Sequence, residues 1–170
     1  KFTKGESDCY QAIGSSSSLQ GNYSEALKYL FIAVKIKKVI HDKKGIADSY
    51  NNIGNCYKNQ GNYAKGLNYN FLALKIREEI GDERGIAKSY NNIGLILKRQ
   101  GKFDEAMRSY NKALRLQEKL KDKKGIAGLY NNMGDIYLVQ KHLKEAINAY
   151  TKSLVLSEEV GDELGIIISY

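Results

Sequence analysis

Tyrosine recurs at Tyr10, Tyr50, Tyr90, Tyr130 and Tyr170, and glycine at Gly14, Gly54, Gly94 and Gly134, so the chain repeats itself every 40 residues. The same register carries Asp42, Asp82, Asp122 and Asp162, then Gly45, Gly85, Gly125 and Gly165, the pair Ile-Ala at 46, 86 and 126, and Ala33, Ala73 and Ala113. Residues 46–85 and 86–125 agree at 16 of 40 positions, so each period encodes the same supersecondary unit. A unit this short buries its apolar face only against its neighbours, which restricts the chain to a linear stack.

The apolar spacing inside one period identifies the unit. After Asp82, a residue suited to capping a helix start, Tyr90, Ile93, Gly94 and Leu97 follow at helical spacing as far as Gln100-Gly101. Gly101 provides the left-handed stop, and Phe103, Ala106, Met107, Tyr110, Ala113, Leu114 and Leu120 then mark a second amphipathic helix ending near Lys121-Asp122. Antiparallel pairs of helices, A then B, repeated four times with the start of a fifth, predict an all-α solenoid. The expected organisation is one domain over 1–170, with repeats at about 3–42, 43–82, 83–122 and 123–162 and a partial one at 163–170, in a chain that reads as a piece of a longer one. The serine run at 15–18 falls inside helix A of the first repeat, where serine costs about half a kcal/mol per residue relative to alanine. That repeat is expected to be the least stable.

Hydrophobic residues make up 42% of the 170 and charged residues 27%, the balance of a folded chain rather than a disordered one. No apolar run approaches the ~20 residues of a spanning helix, so membrane insertion is not expected. Cys9 and Cys56 fall about two helical turns out of step on neighbouring helices, which disfavours a bridge. Free thiols favour a cytoplasmic setting, with the periplasm open if a longer parent is a membrane-anchored sensor.

The series Tyr50, Ile53-Gly54, Tyr57, Gly61, Tyr63, Gly66 and Ala73 resembles the tetratricopeptide repeat signature, with Tyr at the usual Trp position. The likeness extends over essentially the whole chain, and Ala26, Gly66, Ala106 and Ala146 supply the small residue where the family's two helices cross. The long period resembles the subclass of kinesin light chains, spindle-orientation adaptors and bacterial regulators that bind short signalling peptides. It implies a right-handed superhelix, a non-enzymatic interaction module and a partner peptide in the concave groove. Two departures stand out. Asp-x-x-Gly replaces the proline after helix B, and Asn70 stands where Tyr110 and Tyr150 bring a ring, so repeat 2 is expected to pack less tightly.

A helical wheel centred on Tyr50 puts Asp48, Asn52, Asn55 and Asn59 opposite the core face. Stacked A helices line an inner wall, giving a stripe that also holds Asp8, Lys88, Asn92, Arg99, Asn132 and Asp135. Asn51, Asn91 and Asn131 are expected at its edge with Lys58 and Lys98 beside them. An exposed carboxamide has donors and an acceptor for a peptide backbone, and asparagine is a mediocre helix former, so the ladder Asn52, Asn92, Asn132 is the leading candidate site. The resemblance implies that these three hold a bound main chain. Asp48, Lys88, Arg99 and Asp135 would then set sequence preference.

The net charge of +8 is not on this stripe, which is close to neutral; Lys35, Lys37, Lys38, Lys43 and Lys44 read instead as a solvated convex face. Nucleic acid is not favoured, because the tyrosines fall at core spacing rather than along a basic track. His41 and His142 are too far apart to share a metal or a nucleophile, and no cofactor is expected. Glycines 61 and 66 have phosphate-loop spacing, but Leu67-Asn68 replaces the Lys and Ser/Thr that such a loop needs. The alternatives to peptide binding are a regulatory segment of a larger signalling protein and a spacer that self-associates end to end through Ile166, Ile167 and Ile168.

Overall fold

The computed structural model describes residues 3–162 and Gly165. Ile166, Ile167 and Ile168 lie outside the described residues, and the end-to-end contact proposed for them with them. Among the described residues eight helices follow in order: α1 (Lys4–Leu19), α2 (Tyr23–Val39), α3 (Lys43–Asn59), α4 (Tyr63–Glu79), α5 (Glu83–Arg99), α6 (Phe103–Lys119), α7 (Lys123–Val139) and α8 (Leu143–Glu159). Each packs on the next in sequence, as an all-α solenoid requires. Odd-numbered helices are the A helices and even-numbered ones the B helices.

The turns explain the 40-residue punctuation. Every helix ends with the amide two residues past its C-cap reaching back five residues, as in Asn62 to the Tyr57 carbonyl at 2.8 Å and Asp82 to the Arg77 carbonyl at 3.0 Å. The residue between takes a left-handed conformation, which glycine fills at Gly21, Gly61, Gly81, Gly101 and Gly161, but His41, Lys121 and Lys141 hold φ of 57°, 54° and 61° without it. On the A side the aspartate of Asp-x-x-Gly accepts from the glycine amide, at 2.9 Å for Asp42–Gly45 and 3.0 Å for both Asp82–Gly85 and Asp122–Gly125. The motif that replaces the family's proline is therefore a helix cap.

Packing within each pair centres on the A-helix glycine. Leu30, Asn70, Tyr110 and Tyr150 press against Gly14, Gly54, Gly94 and Gly134, so closely that a Cβ at any of these glycines would lie under 3 Å from the neighbouring side chain. Asn70 is fully buried, donates to the Gly66 carbonyl at 2.9 Å and leaves its Oδ1 without a partner. The departure at repeat 2 is thus an unsatisfied acceptor in a filled seat rather than a loose one. Around these seats lie two cores: Leu30, Val34 and Ile53 with an aromatic rim, and Ile93, Leu97, Tyr110, Leu129, Met133 and Ile136.

Surface ion pairs join the two helices within the second, third and fourth repeats in one register: Lys43–Glu79, Glu83–Lys119 and Lys123–Glu159, with the sign inverted in the middle rung. Exposed as they are, they contribute little. Cys9 and Cys56 are free thiols. Burial pushes the Cys56 thiol up from its ordinary value.

Candidate functional site

Near the C-terminal end of each B helix Lys37, Arg77, Gln117 and Ser157 occupy equivalent positions, and the first three turn inward beneath the next A helix. Lys37, only 2% exposed, binds the Gln11 Oε1 at 2.5 Å and Asp8 at 3.2 Å. Arg77, 1% exposed, donates to Asp48 at 2.6 Å, Ser89 at 2.7 Å, Asn51 at 3.0 Å and the Gly85 carbonyl at 3.1 Å. Gln117 meets no such acid, because Lys88 stands where Asp8 and Asp48 do, and its Oε1 is buried without a partner.

That change of sign opens the site. A cleft of about 490 Å³ lies across the N-terminal halves of α3, α5 and α7, bordered by Lys44, Arg84, Lys88, Lys124, Asn91 and Asn132. Its acids are already engaged: Asp48 by Arg77, and Asp82 and Asp122 as caps. Lys124 pairs with Asp162 at 3.1 Å. Lys44, Arg84 and Lys88 carry no ion pair among the described residues, so this half of the stripe is basic rather than neutral. The lysine cluster of repeat 1 divides accordingly: Lys37 is buried and Lys44 faces the cleft, so neither belongs to a solvated convex face.

A second recess of about 460 Å³ gathers Lys58, Asn59, Leu95 and Arg99 at the other ends of α3 and α5, beside Tyr23 and Tyr63. Burial, then the nearby Arg99 charge, lowers the Lys58 ammonium from its usual range. Between the recesses the asparagine ladder is only partly open. Asn52 donates to Ser15 at 3.3 Å and Asn132 to Asn91 at 3.1 Å. Asn92 is 8% exposed with a buried amide nitrogen lacking a partner, and the Asn55 Oδ1 is likewise buried and unpaired. Asn51, expected at the edge, is fully buried and accepts from Arg77, so its role is structural. Asn131 is engaged in an interaction of its own and is only partly exposed.

Lys98 and Asp135 do meet, at 2.6 Å, and Asp135 also accepts from the Tyr150 hydroxyl at 2.9 Å. Burial and this carboxylate push the Tyr150 phenol up to about 12. Tyr110, deeper still, is shifted upward by burial first and by Asp135 second. The wheel missed Arg77, Lys44, Arg84, Lys124 and Gln117, because it ranks positions on one helix and all five act across helices. The recurring position of Lys37, Arg77, Gln117 and Ser157 was the available signal.

No group of three or more histidine, cysteine, aspartate or glutamate side chains among the described residues is arranged to hold a metal, and no helix there is long and apolar enough to cross a membrane. No curated protein sequence matches the chain. Among solved structures, BtubC (BKLC) from P. vanneervenii superposes with a TM-score of 0.80 at 22% identity, over 91% of this chain and 63% of that one. Aspartyl phosphate phosphatase F from Bacillus subtilis superposes with a TM-score of 0.89 at 14% identity, over 95% of this chain and 42% of that one. At these identities the likeness is one of fold, and the chain spans less than two thirds of each. Tetratricopeptide repeat models match residues 45–119 and again 127–159, together well over half the sequence. With its helix pairs, its glycine seats and these matches, the chain belongs to the tetratricopeptide repeat family.

Proposed function

We propose that the chain holds a peptide segment of a partner protein in the concave groove formed by its A helices, with an acidic side chain of that peptide opposite Lys88. Family membership by itself makes the chain a protein–protein interaction module, typically a non-enzymatic scaffold. The observation that carries the finer reading is the basic cleft: Lys44, Arg84 and Lys88 lie around one space of about 490 Å³ with their local acids already committed elsewhere. Cations without partners inside a concave wall attract a carboxylate and steer its approach. Asn132 and Asn91 at the same cleft offer amide groups to the peptide backbone. Asn52, Asn55, Asn59 and Asn92 continue the path toward Lys58, Lys98 and Arg99, which give it a second basic end, while Asp48 and Asp135 discourage acidic residues beside their own positions.

The test is selection from a peptide library by the wild type beside a Lys44→Ala, Arg84→Ala, Lys88→Ala triple variant, after circular dichroism shows both folded. Acidic peptides enriched by the wild type, weakened by added salt and lost in the variant are the expected result. Enrichment that ignores salt and survives the triple substitution refutes this reading.

A further inference from the structure

A different part of the stack departs from its own register. Between the first two repeats the Tyr69 ring of α4 fills a slot among Phe31 of α2 and Tyr50 and Tyr57 of α3, with ring centroids 5.8, 5.7 and 5.6 Å away. Tyr69 stacks on Tyr57 at an interplanar angle of 14°. One interface along, Ser109 and Leu97 replace the ring and its stacking wall together, so the slot is dismantled. At the last interface both walls return as Tyr130 and Tyr137, but Ala149 stands in place of Tyr69 and Asn111 in place of Phe31. The space the ring would occupy is open: a recess of about 270 Å³ between α6 and α8, with α7 below it, based on Leu114 and Met133.

We propose that this recess is a second docking site, on the B-helix side, for a single aromatic side chain presented by a partner polypeptide. The chain supplies its own template for the occupant, since an equivalent slot two repeats earlier is filled by a tyrosine ring. The volume falls below the ~300–1,000 Å³ of ordinary small-molecule pockets and suits one side chain. The walls are rings set to stack or meet an edge, an arrangement worth about 0.5–1.5 kcal/mol beyond burial. Glu145, Asn148 and Lys152 form a polar rim, and the Lys152 ammonium already lies 5.2 Å from the Tyr130 centroid, where it can also face an incoming ring.

The protein contains no tryptophan, so a tryptophan probe reports without background. The probe is the blocked peptide Gly-Ser-Trp-Ser-Gly, titrated with the protein, with the leucine version as control. The expected result is a saturable blue shift of the emission that the leucine peptide displaces poorly. Ala149→Tyr fills the slot from within and should weaken the probe about tenfold or more. Should Ala149→Tyr fail to fold, Tyr137→Leu, which copies Leu97 of the dismantled interface, should weaken it as well. The Lys44→Ala, Arg84→Ala, Lys88→Ala variant should leave the shift unchanged, which separates this site from the groove. No saturable shift at millimolar peptide, a shift that survives the folded Ala149 or Tyr137 variants, or one abolished by the groove variant would overturn the proposal.

Discussion

Replacing Arg77 by glutamine tests whether the inward-turning residue holds the second and third repeats together. The guanidinium is 1% exposed and serves Asp48, Asn51, Ser89 and the Gly85 carbonyl, joining α3, α4 and α5 at one point. Removing one member of a buried ion pair costs about 3–5 kcal/mol, because the other charge stays behind without compensation. Asp48 is 39% exposed, so water recovers part of its solvation, and the expected cost lies near the lower end, about 3 kcal/mol. The chain also contains the charge-changed counterpart of this pair, Gln117 and Lys88 at the equivalent positions. Arg77→Gln combined with Asp48→Lys copies that pair and should be about 1–2 kcal/mol more stable than Arg77→Gln alone. Urea unfolding of the four proteins of the cycle gives the coupling, and hydrogen exchange should show lost protection at α3, α4 and α5 before α7 and α8. A single-variant cost below about 1 kcal/mol, or additivity within about 0.5 kcal/mol, would refute the argument.

Two further perturbations follow from the turns and the tyrosines. Lys121→Gly and Lys141→Gly relieve left-handed backbone at φ of 54° and 61°; against the entropy glycine adds to the unfolded chain, each should raise stability by about 0.5–1 kcal/mol, read as a higher urea midpoint at constant slope. Asp135→Asn should bring the Tyr150 phenol down from about 12 toward its ordinary 10, followed by ultraviolet absorbance or by NMR of labelled tyrosine. Because the raised value keeps the folded phenol protonated where the unfolded one ionises, that contribution is intact below the unfolded value and is lost as pH climbs through the folded one. The variant should therefore show a shallower alkaline loss of stability, and an unchanged Tyr150 titration would sever it from Asp135.

Period, helix pairs and caps were legible because each rests on local chemistry: a glycine that ends a helix, an aspartate that starts one, a small residue where two helices cross. The glycine seats at Gly54 and Gly94 were visible as spacing, though what fills them was not. The site was legible in part. Lys88, Arg99 and Asn132, assigned to the stripe, and Lys58, assigned beside its edge, all border the two recesses, but a wheel treats each helix alone. It put Asn51 at an exposed edge because it could not know that Arg77 of the following B helix closes over it. Arg77 itself reads as an ordinary solvated charge near a helix end, and only depth reveals its four acceptors. Ala149 was invisible for the opposite reason, since alanine is the least conspicuous residue in a helix and its meaning lies in the ring that Tyr69 supplies elsewhere.

The two candidate sites share one physical origin. In a stack whose repeats touch only their neighbours, a substitution at one interface is felt mainly there, so a packing slot can be emptied without dismantling the rest. Where the buried cation and its acid are retained, at Lys37–Asp8 and Arg77–Asp48, the slot is closed and serves stability. Where they become Gln117 and Lys88, the charge is left facing the groove, and where Tyr69 becomes Ala149 a ring-shaped space is left on the opposite side. Both departures fall in the third and fourth repeats, on the far side of the Arg77 junction from the slot that Tyr69 fills. The first half of the chain keeps its buried cations paired and its aromatic slot filled. The second half exposes the unpaired groups that a partner would have to satisfy.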